Sequence, residues 1–211
     1  MKLYSYFRSS ASYRVRIALN LKNLSYEAVP VHLTRDGGRQ HTPEFRVINP
    51  QARVPALELS NGVVLTQSLA IIEYLDDIHP EPPFLPTDAL ERAKSRAIAQ
   101  LIACDIHPLN NLVALQYLKR QLGHEQRAID TWYHHWISVG FTALEAMLEP
   151  EPYACGARVT LADICLVPQV ANARRYKMPL DKFPKIVAVD AACLKLPAFD
   201  KARPENQPDA E

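Results

Sequence analysis

In the first third of the chain, apolar and polar positions alternate in some stretches, as in strands, and recur every three to four residues in others, as in helices. This combination predicts a mixed α/β domain. Residues 2–7 and 26–31 are short strand-like runs, and apolar side chains between them recur at a helical spacing. A strand, a helix and a second strand of this size form a right-handed βαβ unit, so we expect the two strands to be parallel. A polar loop over 32–41 and a short helix over 43–47 follow.

The next segment predicts a hairpin and then a helix. Two short apolar runs flank Ser60-Asn61-Gly62, and Asn-Gly between such runs is the strongest short hairpin signal. Pro55 lacks a backbone N–H and so belongs at the start or edge of its strand. Ser68 precedes a helical pattern, which predicts that it caps this helix and that the unsatisfied amides beside it form an anion site. A main chain exposed at Val54, next to such a site, suits a short peptide ligand.

Proline density marks the end of this first domain. Pro80, Pro82, Pro83 and Pro86 lie too close together for a helix and predict a stiff connector. We therefore expect a domain over 1–80, a linker over 81–87 and an all-helical domain over 88–211. Its helices are expected over 89–106 with a kink or restart at Pro108, and over 112–122, 125–148, 161–174 and 184–194; a loose polar tail is expected over 197–211.

One helix start carries a more specific pattern. Thr160 and Asp163 have the spacing of a capping box, and Val159 and Ile164 have that of a hydrophobic staple. We therefore interpret Asp163 as a structural cap; a catalytic acid is the alternative.

Composition narrows the possible partners and the compartment. The formal net charge is +1 and no basic block stands out, which argues against nucleic acid as the main partner. No apolar run approaches 18 residues, and no signal peptide precedes the first strand, so we expect neither a membrane span nor secretion. The four cysteines lack CxxC spacing, which favours buried thiols in a reducing cytoplasm. The adjacent His134 and His135 point apart on a helix, so we expect no metal site.

Taken in order, these elements resemble the cytosolic glutathione transferases, over essentially the whole chain apart from the tail. The implied fold is an α/β thioredoxin-like N-terminal domain followed by an all-α C-terminal domain. Two stretches resemble the signature of the zeta class, the maleylacetoacetate isomerases, and bacterial maleylpyruvate isomerases share the pattern. These stretches are Arg8-Ser9-Ser10-Ala11-Ser12-Tyr13-Arg14-Val15-Arg16-Ile17-Ala18-Leu19 and Asp105-Ile106-His107-Pro108-Leu109-Asn110-Asn111. Residues 36–40, 54–57 and 67–75 also match, but the last two matches are shared by many transferases.

The resemblance implies that glutathione is the cofactor and assigns its contacts. Thiol activation falls to Ser9 and Ser10. The remaining cofactor contacts implied are Gln40 at the glycyl end, Val54 before a cis Pro55, Gln67 and Ser68 at the glutamyl carboxylate, and His107 and Asn111 from the second domain. The substrate that the resemblance implies is a keto acid with two carboxylates, which need cationic partners. Arg8 and Arg175 are the candidates for these partners. Structural alternatives stay open: capping for the serines, a solvated loop for Gln40, a kink residue for His107 and surface ion pairs for the arginines.

The implied activity is cis–trans isomerisation of maleylacetoacetate, in the catabolism of aromatic amino acids and other aromatic compounds, by a homodimer. Maleylpyruvate isomerisation, general glutathione transfer and a non-catalytic docking role are the alternatives. One departure matters, because Ala11 stands where the zeta signature usually has Cys. Side activities that depend on that protein thiol are therefore in doubt, whereas isomerisation uses the thiol of glutathione.

Overall fold

The computed structural model describes residues 1–211 and divides into two compact units. The first comprises Met1–Pro83 together with Lys195–Glu211, and the second comprises Phe84–Leu194. The sequence predicted one boundary within residues 81–87 and placed everything after it in the helical domain. The structure differs at the C-terminus, because residues 195–211 return to the first unit.

The first unit is built on a four-stranded sheet in the order β2-β1-β3-β4. Its strands are β1 (Lys2–Ser5), β2 (Glu27–Pro30), β3 (Ala56–Glu58) and β4 (Val64–Thr66). Strand β1 pairs in parallel with β2 and antiparallel with β3, and β3 and β4 form the hairpin. The predicted parallel βαβ unit and the predicted hairpin are therefore both confirmed.

Helices cover this sheet and supply most of its core. They are α1 (Ser10–Leu21), α2 (Pro43–Ile48) and α3 (Ser68–Ile78), and two 3₁₀ turns, Arg35–Gly37 and Arg39–His41, precede α2. Helices α1 and α3 pack on each other. Leu3 and Leu57 from the sheet, Ile17 from α1 and Ile71 from α3 are fully buried. Burying such side chains is the main favourable term in the stability of the unit.

The C-terminal segment is ordered, so the prediction of a loose tail is wrong. It forms α10 (Pro197–Lys201) and a 3₁₀ turn, Pro204–Asn206. Phe199 is fully buried, and the Arg16 Nε–H donates to the carbonyl of Ala202 at 2.9 Å. Farther along, the Asp209 carboxylate accepts from the Phe7 amide at 3.0 Å. The prediction failed because it was based on the polar composition of the segment and did not consider Phe199, its only aromatic side chain.

The second unit is helical throughout. Its helices are α4 (Ala89–Gln100), α5 (His107–Asn110), α6 (Leu112–Arg120), α7 (Gln126–Met147), α8 (Leu161–Arg175) and α9 (Pro184–Cys193), with a π-helical stretch, Leu101–Ile106, between α4 and α5. The predicted kink at Pro108 lies three residues farther on, at Asn111, where the backbone is extended (φ −69°, ψ 150°). Pro108, which has no N–H to donate, lies in a helix that continues directly from the π-helical stretch before it, and that stretch changes the backbone hydrogen-bond spacing there.

Length and composition single out one stretch, Ala89–Arg120, as able to span a membrane. Core helices of globular proteins pass the same test, so the indication is weak.

The predicted capping box at the start of α8 is confirmed. Asp163 is fully buried and its Oδ2 accepts from the backbone amide of Thr160 at 2.8 Å and from the Thr160 hydroxyl at 3.0 Å. Its Oδ1 accepts from the amide of Ala154 at 2.7 Å. The Cys193 thiol also donates to Oδ1, at 3.7 Å, so four donors converge on one carboxylate inside the helical unit. This is a structural role and not that of a solvent-accessible acid.

We predict that Asp163→Ala lowers the free energy of unfolding by about 3 kcal/mol, because it removes a cap and leaves buried N–H groups without an acceptor. Urea unfolding followed by tryptophan fluorescence measures this, since Trp132 and Trp136, the only tryptophans, lie in the same unit. Asp181→Ala, at an exposed position, is the matched control and should change little. Equal effects of the two substitutions would contradict the assignment.

We also predict that Arg16→Met loosens the C-terminal segment, because the carbonyl of Ala202 loses its donor. Tryptic cleavage at Lys201 and Arg203, timed by mass spectrometry, should accelerate several-fold. Arg46→Met, at an exposed position of α2, serves as the control. An unchanged cleavage rate in the Arg16 variant would mean that the other contacts of the segment, among them the buried Phe199 ring and the Asp209–Phe7 hydrogen bond, hold it without Arg16.

Candidate active site

Ser9 caps helix α1 and presents its hydroxyl at the helix N-terminus. Its backbone is extended (φ −70°, ψ 115°) and its Oγ accepts from the Ser12 amide at 3.2 Å. Because a hydroxyl has one proton and two lone pairs, the Ser9 proton remains available to a ligand. Ser9 is half-buried, whereas the neighbouring Ser10 is buried. The geometry therefore favours Ser9 over Ser10 as the hydroxyl that a bound group would meet.

Arg16 holds the loop that carries Ser9. Its Nη1 donates to the Ser5 hydroxyl at 3.1 Å and its Nη2 to the carbonyl of Phe7 at 3.0 Å. Burial lowers the pKa of Arg16 to about 10, so the guanidinium stays charged at neutral pH. Arg8 is exposed on the same loop, with its guanidinium carbon 4.8 Å from the centre of the Phe7 ring.

A strained residue precedes the second helix start. Gln67, and not Ser68, occupies the cap position of α3, with φ 68° and ψ 116°. The prediction that Ser68 is the cap is therefore wrong by one residue, because the positive φ at Gln67 places Ser68 in the first helical turn. The amide of Ser68 still has no intrahelical acceptor there. Gln67 is exposed, and its Nε2 donates to Oε1 of Gln51 at 2.8 Å.

Arg14, a residue of α1, contacts this helix start. Its Nη1 donates to Oγ of Ser68 at 3.3 Å, and both side chains are buried. One hydrogen bond therefore ties the start of α3 to the helix that Ser9 caps.

Val54 lies in the turn before β3, which is ordered by side-chain hydrogen bonds of Asn49. The Val54–Pro55 peptide bond is cis, and the β1–β3 pairing begins only at Ala56. Asn49, which is almost fully buried, donates from Nδ2 to the carbonyl of Arg53 at 2.7 Å and accepts at Oδ1 from the Gln51 amide at 3.0 Å. The Val54 backbone thus lies outside the ladder, and Gln51 connects this turn to Gln67.

Gln40 lies inside its loop. Its side chain is 5 % exposed and its Nε2 donates to the carbonyl of Leu33 at 3.1 Å. A Cβ added at Gly38 would come within 2.5 Å of the Gln40 amide. The alternative that Gln40 is a solvated loop residue is therefore wrong; its role towards the glycyl end stays a prediction.

In the helical unit, His107 and Asn111 meet as predicted, though not on one continuous helix. Their Nε2 and Nδ2 atoms are 3.0 Å apart, and the Asn111 Oδ1 accepts from the Val113 amide at 3.0 Å. Asn111 therefore caps α6 while its Nδ2 contacts the imidazole.

Arg175 lies at the end of α8 and is exposed. Its Nη2 donates to Oδ1 of Asn172 at 3.2 Å, and its guanidinium carbon is 5.2 Å from the centre of the Tyr176 ring. Asn172 is a neutral partner, so a carboxylate ligand at Arg175 would not have to displace an anion there.

Sequence reasoning missed several residues that shape the site. Arg14 and Arg16 are both 1 % exposed, and Asn49 and Gln51 order the turn before Val54. The detectable signal was a pair of charged residues inside the apolar pattern of α1. No group of three or more His, Cys, Asp or Glu side chains could hold a metal ion, and all four cysteines are free.

Two protein-family models match this chain, one in each half. The model of the glutathione S-transferase N-terminal domain matches residues 3–83, and that of the C-terminal domain matches residues 140–192.

Full-length relatives agree with these matches. The chain is 47 % identical to the maleylacetoacetate isomerase of Pseudomonas aeruginosa, over 99 % of this chain and 98 % of that protein. A solved maleylpyruvate isomerase, described as a bacterial zeta-class glutathione S-transferase, is 47 % identical with a TM-score of 0.95, over all of both chains. The maleylacetoacetate isomerase of Methylobacterium extorquens, solved with malonate and glutathione bound, is 36 % identical with a TM-score of 0.95, also over all of both chains.

We predict that Gln67→Gly raises the free energy of unfolding of the first unit by about 1 kcal/mol, because glycine relieves the positive φ. Ala70→Gly, at an exposed helical position of α3, is the matched control and should lower it by about 1 kcal/mol. Hydrogen exchange of the buried amides in α3 reads both changes. A loss in both variants would mean that Gln67 is not strained.

Proposed function

Because the chain belongs to the glutathione S-transferase family, and within it to the zeta class, we propose that it is a glutathione-dependent cis–trans isomerase that converts maleylacetoacetate to fumarylacetoacetate. The observation that carries this proposal is the half-buried Ser9 hydroxyl at the start of α1, which accepts from the Ser12 amide and keeps its proton to donate. A relative named maleylacetoacetate isomerase matches 99 % of the chain at 47 % identity.

Glutathione is proposed to bind along the first unit. Its γ-glutamyl carboxylate meets the Ser68 hydroxyl and amide, with Gln67 beside it, where the N-terminus of α3 favours an anion. Its cysteinyl backbone pairs with Val54, whose own backbone lies outside the strand ladder. Gln40 supports the glycyl end by holding the loop at Leu33.

The thiol is proposed to lie at the N-terminus of α1. A free thiol titrates near 8.5, so only a few per cent is ionised at neutral pH. A hydrogen bond from Ser9, with Ser10 behind it and the amides of the first turn, favours the thiolate, and each unit by which the pKa falls corresponds to about 1.4 kcal/mol. A charge-assisted hydrogen bond supplies free energy of that order.

The reaction that follows is reversible conjugate addition. The thiolate attacks one carbon of the cis double bond, and the electron pair of that bond moves to the ketone, giving an enolate. The former double bond is now single and rotates. The enolate then re-forms the double bond in the trans geometry and expels the thiolate, so glutathione leaves unchanged and acts as a cofactor.

The two carboxylates of the keto acid need cations. Arg8 on the loop before α1 and Arg175 at the end of α8 are both exposed and able to bind a carboxylate through two N–H groups. The Methylobacterium extorquens relative binds malonate, a small dicarboxylate, together with glutathione. In the helical unit, the His107–Asn111 pair supplies further polar contacts to the ligand.

Maleylpyruvate is the second candidate substrate, because a maleylpyruvate isomerase matches the chain at the same 47 % identity. The two substrates differ in the group beyond the ketone. Leu112 and Val113 follow the Asn110-Asn111 pair in this chain. Both substrates end in a carboxylate, and the acetoacetate substrate has one more methylene before it. The lack of a basic side chain at these two positions favours the acetoacetate substrate.

The assembly and the compartment are proposed from the family. We assign a homodimer in the cytoplasm that acts on a small molecule, with no nucleic-acid, membrane or metal partner. Four free cysteines are consistent with a reducing compartment. A non-catalytic docking role would not require Ser9 at the start of α1 and Gln67 and Ser68 at the start of α3 to be present in the same chain.

Turnover without loss of thiol tests the proposed reaction. We predict that the enzyme converts maleylacetoacetate at catalytic concentrations of glutathione and that total free thiol stays constant over many turnovers, because the thiolate is expelled again. Stoichiometric thiol loss would identify a conjugating transferase instead. Parallel assays with maleylpyruvate rank the two substrates by kcat/KM.

Ser9→Ala tests thiolate stabilisation. We predict a kcat about tenfold lower at neutral pH, little change in KM for glutathione, and a rising limb of the pH–rate profile displaced by about one pH unit to higher pH, because loss of the donor raises the pKa of the thiol. Ser60→Ala, in the exposed hairpin turn, is the control. Unchanged turnover would move the role to Ser10 or to the backbone amides.

A further inference from the structure

We propose that Arg14 is a positioning residue of the glutathione site, which fixes the Ser68 hydroxyl as a hydrogen-bond donor to the γ-glutamyl carboxylate. This inference deepens the proposed function and rests on it.

The geometry places a buried cation behind the anion site. Arg14 is 1 % exposed on α1, and Ser68 is 7 % exposed at the first position of α3. The Nη1 of Arg14 lies 3.3 Å from the Oγ of Ser68. Because the side chain of Arg14 is out of solvent, it acts through Ser68 and does not touch the ligand itself.

The donors and acceptors available on the Arg14 guanidinium and the Ser68 hydroxyl determine the direction of the serine proton. A guanidinium only donates, so it occupies a lone pair of the Ser68 oxygen. The hydroxyl proton must therefore point away from Arg14, where a carboxylate accepts it. Without Arg14, the hydroxyl would be free to rotate and to spend time in orientations in which it does not donate to the ligand.

Electrostatics acts in the same direction. The N-terminus of α3 carries a partial positive charge, and the buried guanidinium adds a full charge beside it. Solvent screens a buried charge much less than an exposed one. Both contributions favour a ligand carboxylate at Ser68 over a neutral group of the same shape, so the interaction should be specific for the charge of the ligand.

A purely structural Arg14 would behave differently. If the residue only joined α1 to α3, its removal would weaken binding of all ligands alike and independently of Ser68. If it orients Ser68, its effect requires both the serine hydroxyl and a ligand carboxylate. A double-mutant cycle read with two ligands separates these cases.

The experiment measures binding by isothermal titration for the wild type, Arg14→Met, Ser68→Ala and the double variant. The ligands are glutathione and its analogue lacking only the γ-glutamyl α-carboxylate. For glutathione we expect each single variant to bind about tenfold more weakly and the double variant to be little weaker than Arg14→Met alone. For the analogue, Arg14→Met should bind as the wild type does.

Two further variants keep the test decisive. Arg14→Gln retains a donor without the charge and should still lose part of the preference for glutathione over the analogue, even if Arg14→Met fails to fold. Arg46→Met, at an exposed site, controls for loss of a cation and should bind both ligands normally. Circular dichroism checks the fold of each variant.

Additive losses, or equal losses with both ligands, would overturn the role of Arg14 while leaving the proposed function intact, as would an unchanged preference in Arg14→Gln. Absence of glutathione binding by the wild type would overturn both proposals.

Discussion

The candidate site depends on the hydrogen bonds of two buried guanidinium groups, those of Arg14 and Arg16 on α1. Burial of a charge is unfavourable unless hydrogen bonds compensate it. Arg16 meets this requirement at the carbonyls of Phe7 and Ala202, and Arg14 donates to Ser68. The helix that presents Ser9 is therefore linked to the loop before it, to the C-terminal segment and to the start of α3. These links order the first unit around the two helix N-termini at which we propose that glutathione binds.

The nucleophile in the proposed reaction comes from the ligand, and two of the four protein thiols have pKa values shifted away from reactivity. Burial raises the pKa of Cys155 to about 11, and burial beside Asp163 also raises the pKa of Cys193. A reactive cysteine needs the opposite shift. Ala11 occupies the position where the zeta signature usually carries a thiol. Chemistry that regenerates glutathione is thus compatible with this chain, whereas chemistry that needs a protein thiol at that position is not.

Local patterns were sufficient to predict much of the fold. The βαβ unit, the hairpin and the capping box at Asp163 each depend on residues close in sequence, and all three are confirmed. Capping by Ser9, which was the structural alternative to its catalytic role, is also observed. Proline density predicted the two-domain organisation, and the resemblance to a known family supplied the identity of the candidate ligand. What sequence could not supply are features determined by distant residues. The order of the C-terminal segment depends on Phe199 and on Arg16, far apart in the chain. The positive φ at Gln67 moves the cap by one residue, and no pattern in the sequence reports it.

The central claim is that the first unit holds the glutathione thiol in its ionised form. Ultraviolet absorbance of the thiolate, followed through a pH titration of the enzyme–glutathione complex, measures this directly. We predict that the bound thiol ionises at least about one pH unit below the free value near 8.5. A bound thiol that titrates at the free value would contradict the account, even if the complex were tight.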